Sequence, residues 1–175
     1  MQRRPIKLSE LKIQPHDLFF NQWMLLTTGD YAKDRFNTMT IGWGALGTIW
    51  NRPLAVVAVR HSRYTLQFME KYDTFTLCAF PQEHHQALSL LGSRSGRDGD
   101  KIAASGLTPE PSNMVAAPSF KEAELVIECC KMYWNDLNPA HFLDAKLHEV
   151  YPNRNYHRIY YGEVQKIFAA EQLTS

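Results

Sequence analysis

The sequence predicts a mainly β fold with a few flanking helices, its strands closing fully or partly into a barrel. Three observations carry this expectation. Apolar runs recur at residues 23–28, 36–43, 54–59, 74–80, 122–134 and 157–168, and only two stretches between them show sustained helical spacing. Gly, Pro, Asn and Asp gather between the runs, where turns need them. A chain of 175 residues is one domain by length, and many strands around a single small core are accommodated by a barrel.

Residues 1–22 read as an N-terminal arm, interrupted by Pro15 and docked by Leu18, Phe19 and Phe20, with 23–175 as the single domain that follows. Strand 23–28 leads into Gly29-Asp30-Tyr31-Ala32-Lys33-Asp34-Arg35, which has the chemistry of a hairpin turn, and 36–43 returns as the second strand. Gly42, Gly44 and Gly47 crowd its end and form a glycine-rich connection. They suit either a backbone that approaches a flat ligand closely or a bulge at a barrel corner. Leu54 to Val59 is continuous and β-branched, as befits a strand buried on both faces. Thr65, Phe68, Met69 and Tyr72 follow at spacings of three and four, which predicts a helix over 62–72 with Ser62 as its N-cap.

Strand 74–80 is next, and Pro81 opens a second helix that runs to Leu91. Residues 92–101 form a loop rich in Gly, Ser, Arg and Asp. In strand 122–134, Ala123, Leu125, Ile127 and Cys129 share a face, until Asn135-Asp136-Leu137-Asn138-Pro139 breaks it. The last strand, 157–168, sets Tyr160, Gly162 and Val164 against Ile159, Tyr161 and Glu163.

Composition removes several function classes. Formal net charge is +1, and basic residues are dispersed among acidic ones, so neither nucleic acid nor an anionic membrane is an expected partner. No run is long enough to span a bilayer, and the first residues lack the apolar centre of a signal peptide. Cys78, Cys129 and Cys130 make no disulfide framework; buried, reduced thiols in a cytoplasmic protein are expected. His84 and His85 are adjacent and diverge on a helix, so they do not chelate together. His141, Asp144, His148 and His157 are the raw material of a metal-dependent hydrolase, but on a helix His141 and His148 would stand two turns apart, too far to share an ion. No metal is expected.

The densest chemistry lies at Arg60-His61-Ser62-Arg63-Tyr64-Thr65, where a strand meets a helix. Two fixed charges, two hydroxyls and the free amides of a helix N-terminus suit a phosphate dianion. A solvated turn with its arginines in water is the alternative.

These residues also carry a resemblance. Asn37-Thr38-Met39-Thr40, Gly42-Trp43-Gly44, Pro53, and Arg60 to Thr65 resemble the flavin reductase-like family of the FMN-binding split barrel, to which flavoredoxin is similar. Met24 to Gly29, Ser95 to Lys101 and Gly162-Glu163-Val164 resemble further segments of that family, so the likeness spans residues 23–164. It implies a six-stranded Greek-key split β-barrel that forms a homodimer and binds FMN. Arg60, Ser62, Arg63 and Thr65 would hold the phosphate. Asn37, Thr38, Met39 and Thr40 would lie beside the isoalloxazine, with Gly42 and Trp43 continuing that wall, and Trp43 is equally suited to the core. Lys101, beside Asp100, would approach the cofactor edge; without the family the two read as a solvated loop pair. The implied reaction passes a hydride from NADH or NADPH through the flavin to free flavin or another small-molecule acceptor, with no catalytic side chain. No Gly-x-Gly-x-x-Gly fingerprint for a dinucleotide is present. A non-catalytic flavin binder or electron carrier has the same fold and is the alternative. The segment Tyr151-Pro152-Asn153-Arg154-Asn155-Tyr156 has no place in the family pattern.

Overall fold

The computed structural model describes residues 2–174. Its strands are β1 (Arg4–Ile6), β2 (Met24–Asp30), β3 (Arg35–Ile41), β4 (Gly44–Ile49), β5 (Arg52–Arg60), β6 (Thr74–Ala79), β7 (Pro109–Glu110), β8 (Ser119–Phe120), β9 (Leu125–Asp136) and β10 (His157–Ala169). Its α-helices are α1 (Pro15–Asp17), α2 (Thr65–Lys71), α3 (His85–Ser93) and α4 (Lys101–Ser105). The main sheet is antiparallel in the order β3-β2-β6-β9-β10-β5-β4, with β1 added to β10.

The two edges of that sheet, β3 and β4, are joined by Gly42 and Trp43 alone. Ile41 and Gly44 therefore lie within roughly 11 Å of each other, and the sheet must curl until its edges meet. The seam is marked by the Ala58 amide donating to Trp43 O at 3.4 Å. With β3 and β4 counted as one bent strand, six strands make the barrel. Around it, β6, β2, the bent strand and β5 follow the 4-1-2-3 order of a Greek key.

Alternation along the strands divides the core in two. Met24, Leu26, Phe75, Leu77, Leu125, Ile127 and Cys129 point into the barrel. Leu25, Cys78 and Val126, one residue out of step, point outward beneath Leu88 and Leu91 of α3. Strands covered on both faces read as unbroken apolar runs, which is why β2, β6 and β9 do so. The expectation of a single core is thus corrected to a barrel interior plus an outer cluster under α3.

Several boundaries also differ from expectation. The glycine-rich connection is strand β4, paired to β5 through a two-residue turn in which Trp50 and Asn51 have φ of 54° and 58°. That is the backbone of a type I′ hairpin. The helix expected from Ser62 starts at Thr65, and the one expected from Pro81 is a 3-10 turn, Gln82–His84, followed by α3. Strand β9 runs on to Asp136. In β10 the alternation holds at Tyr160 and Gly162, then shifts at an irregularity between Val164 and Lys166, so that Ile167 and Ala169 face inward. In the N-terminal segment Leu18 and Phe19 are buried, whereas Phe20 points outward and stacks on His16.

Candidate functional site at the barrel rim

Cross-strand register builds the site. Arg60 closes β5 directly opposite His157, the first residue of β10. From Arg60 the chain makes two tight turns, with the Arg63 amide donating to Arg60 O and the Leu66 amide to Arg63 O, both at 3.0 Å, before α2 begins. The expected cap is corrected here. Ser62 is bound instead to Asn155: its amide donates to Asn155 Oδ1 at 3.2 Å and its hydroxyl accepts from Asn155 Nδ2 at 2.7 Å. Tyr64 occupies the N-cap position and makes no side-chain cap bond.

A cleft of about 540 Å³ lies against these turns. It is lined by Asn37 and Met39 of β3, by Arg60 to Thr65 apart from His61, by residues 93–97, and by Lys101. Arg60, Arg63, Arg94, Arg97 and Lys101 bring five cations to it, and none of the lining residues is acidic. In a chain of net charge +1 this is a strong local concentration, and a cleft lined by one sign of charge raises the local concentration of the opposite one.

Several of these cations are held in place. Arg63 donates to Gly92 O at 2.7 Å, and the Arg97 guanidinium lies over the Tyr64 ring, 4.8 Å from its centroid. Lys101 is buried and donates to Leu91 O at 2.8 Å and Arg94 O at 3.1 Å. The solvated Asp100–Lys101 pair expected from sequence alone is therefore corrected. Asp100 caps α4 by accepting from the Ile102 and Ala103 amides, while Lys101 turns inward. Burial, with a smaller contribution from Arg63, lowers the Lys101 pKa to about 8.

On the opposite wall, Asn37 is buried and donates to Thr65 Oγ1 at 2.7 Å, tying β3 to the start of α2. A side chain at Gly96 would collide with Asn37 Oδ1, so glycine is needed for the loop to lie this close. Thr38 points to the outer face of β3, opposite to Asn37 and Met39, donating to Leu26 O at 3.2 Å, with its hydroxyl 2.9 Å from that of Thr27. Thr40 donates to Leu88 O. β3 pairs with β2 on one side only, so alternate amides and carbonyls on its other edge are unused by the sheet.

A smaller space of about 150 Å³ continues from the cleft, sharing Met39, Arg60 and Arg63, and lined further by Thr40, Gly42, Trp43, Ala58 and His157. Trp43 is 48% exposed and does not belong to the core; its ring packs on His157 at 4.6 Å. His157 Nδ1 lies 2.7 Å from the Tyr151 hydroxyl. Burial first, then Arg60, Arg63 and His61, lowers the His157 pKa to about 4, so its ring is neutral near pH 7.

The structure thus gathers the sequence-derived residues into two adjoining spaces, with Thr38 alone turning its side chain away. Sequence reasoning missed Arg94, Arg97, Tyr64, Tyr151, Asn155 and His157. The Arg and Ser density of residues 92–101 was a usable signal for the first two. Asn155 gave none, because its partner Ser62 is 93 residues away. The Tyr151–Tyr156 segment, without a place in the sequence pattern, packs by Arg60, whose guanidinium lies 5.2 Å from the Tyr151 ring centroid. His61 pairs instead with Asp136, at 3.0 Å. His141, Asp144, His148 and His157 form no metal-holding group among the described residues.

A split barrel with an anion-attracting cleft at its rim defines a class, that of flavin-related oxidoreductase domains. Comparisons with known proteins agree. Flavoredoxin of Desulfovibrio vulgaris (Miyazaki F) superposes with a TM-score of 0.66 at 23% identity, covering 86% of this chain and 70% of its own. An FMN-binding domain of a flavin reductases-like enzyme from Shewanella baltica OS155 gives 0.68 at 16% identity over 98% and 78%. The NADH:FAD oxidoreductase SgcE6 of Streptomyces globisporus gives 0.66 at 14% over 86% and 76%. Among curated protein sequences none matches. The chain belongs to the flavin reductase like domain family, whose model matches residues 17–174.

Proposed function

We propose that the chain is an NAD(P)H-dependent flavin oxidoreductase that works through FMN held at the barrel rim. The observation that carries this reading is the five-cation, acid-free cleft lying against the open edge of β3. Arg60 and Arg63 hold the phosphate with Thr65 and Ser62, while Arg94 and Arg97 enclose it from the facing loop; guanidinium groups suit phosphate because they donate two parallel hydrogen bonds. Asn37, Thr38, Met39 and Thr40 offer the β3 edge to the ring system, and Gly42 and Trp43 extend that wall. Lys101 adds a charge at the cleft that burial makes titratable. His157, neutral and braced by Tyr151, presents a hydrogen-bonding nitrogen to the adjoining space without placing a third charge beside the two arginines.

Bound FMN would supply the redox chemistry, hydride transfer between NADH or NADPH and free flavin or another small acceptor. The side chains bind, orient and set the local field; none is required as a nucleophile. The exposed rings of Trp50 and Tyr133, with the half-buried Tyr161 ring against both at 5.4 to 6.5 Å, together with the exposed Ile49, support a homodimer.

Purified chain mixed with FMN and NADH or NADPH tests the reading through loss of the nicotinamide absorbance. Turnover well above the protein-free rate is expected. Flavin bands in the visible spectrum without turnover would mean an electron carrier, and neither flavin binding nor turnover would overturn the assignment.

A further inference from the structure

The end of the connection between β9 and β10, residues 150–156, grips the turn after β5 one residue at a time. Arg60 donates to Val150 O at 3.4 Å and lies over the Tyr151 ring. The His61 amide donates to Tyr156 O at 3.4 Å. Ser62 makes two bonds with one side chain: its amide donates to Asn155 Oδ1 at 3.2 Å, and its hydroxyl accepts from Asn155 Nδ2 at 2.7 Å. A backbone amide can only donate, so the end of Asn155 that meets it is the carbonyl, and the end at the hydroxyl is the N–H. The Ser62 oxygen therefore accepts and keeps its own hydrogen to give. No acceptor for that hydrogen stands among the described residues, and Ser62 lines the cationic cleft.

The same arrangement recurs at Thr65. Asn37 Nδ2 donates to Thr38 O at 3.3 Å, an oxygen that can only accept, and to Thr65 Oγ1 at 2.7 Å. Thr65, too, keeps a hydroxyl hydrogen to give. Two asparagines, one from β3 and one from the segment before β10, thus leave two hydroxyl donors in a cleft whose arginines also only donate. Such a corner suits an end group that only accepts, as a phosphate dianion does. We propose that Asn155 is a positioning residue for the cofactor phosphate, holding the Ser62 hydroxyl in the sense in which it donates to that phosphate. The inference rests on the reading of the cleft as a phosphate site. Asn155 acts by fixing Ser62 before the ligand arrives. Sparing the ligand the cost of ordering one side chain corresponds to roughly two- to tenfold in affinity.

Titration of FMN, and of riboflavin, which lacks the phosphate, tests this in the whole chain. The proteins are the wild type, Asn155→Ala, Ser62→Ala and the double variant, with Asn155→Leu as a bulkier replacement should the alanine variant not fold. Support for the proposal has three parts. FMN affinity is roughly two- to tenfold weaker in the Asn155 variants, riboflavin affinity is unchanged, and adding Asn155→Ala to Ser62→Ala brings no further loss. Unchanged FMN affinity in a folded Asn155 variant would overturn it. So would an equal loss for FMN and riboflavin, which marks a general structural role. A loss that persists in the Ser62→Ala background would overturn it as well, because the hydroxyl would then not be its route. A wild type that binds the two flavins equally would overturn the phosphate reading itself.

Discussion

At the residue scale, the site separates what neighbours in sequence can do from what distant residues decide. Arg60, Arg63 and Thr65 could be read as anion ligands because strand, turn and helix start are contiguous in the chain. Ser62 could not be read correctly. A serine before an apolar helical pattern is an N-cap by every local rule, yet Asn155 offers it two hydrogen bonds and takes it elsewhere. Lys101 was legible as a candidate, but its burial was not. That burial has a pH consequence. In the folded chain its pKa is lowered from 10.5 to about 8, so between these values the unfolded chain holds a proton that the folded chain has released. The stability of the flavin-free protein therefore rises with pH over that window. Flavin affinity moves the other way, because a phosphate nearby favours charged Lys101. It is greatest below pH 8 and falls as pH rises through it, by about tenfold for one charge-assisted contact. Isothermal titration across the window should show this fall in the wild type and a flat profile in Lys101→Met.

At the element scale, strands covered on both faces announced themselves, and the lightly covered one did not. β4 (Gly44–Ile49) has glycines at its first and fourth positions and is exposed along most of its length, so neither propensity nor alternation marked it. It exists because β5 and the Trp50–Asn51 turn template it, and because Gly44 allows close approach: an added Cβ would stand 2.7 Å from Val56 O and closer still to the Phe19 ring. Gly162 in β10 makes the same point inside the barrel, where a Cβ would run into the Phe75 ring and meet Cys129 Cβ at 3.1 Å. Overpacking of this kind costs about 1–3 kcal/mol. Gly162→Ala is expected to lose that much in chemical denaturation, and the Phe75→Leu change made with it should recover part of the loss. Equal additive losses would show that the contact is not what limits the position.

At the scale of the whole molecule, the Greek-key split barrel entered through family likeness, since periodicity gave only strands and a few helices. The physical reason for closure, edge strands joined by two residues, becomes visible only when pairing is known. Pairing also explains why residues from β3, the β5–α2 turns, the α3–α4 loop and β10 converge on one rim. The aromatic surface formed by the exposed Trp50 and Tyr133 with the half-buried Tyr161 belongs to this scale too. If it joins two copies, sedimentation equilibrium will give twice the chain mass for the wild type and a shift toward monomer for Trp50→Lys. A monomeric wild type would remove the homodimer.

The central claim is that the acid-free corner at the barrel rim holds a flavin phosphate. The most direct test is equilibrium titration of FMN into wild-type protein and into the Arg60→Gln, Arg63→Gln double variant, with the fold checked by circular dichroism. Removal of two charge-assisted contacts, each worth about 1.5–3 kcal/mol, predicts affinity lower by at least about a hundredfold. An FMN dissociation constant unchanged in a folded variant would contradict the account.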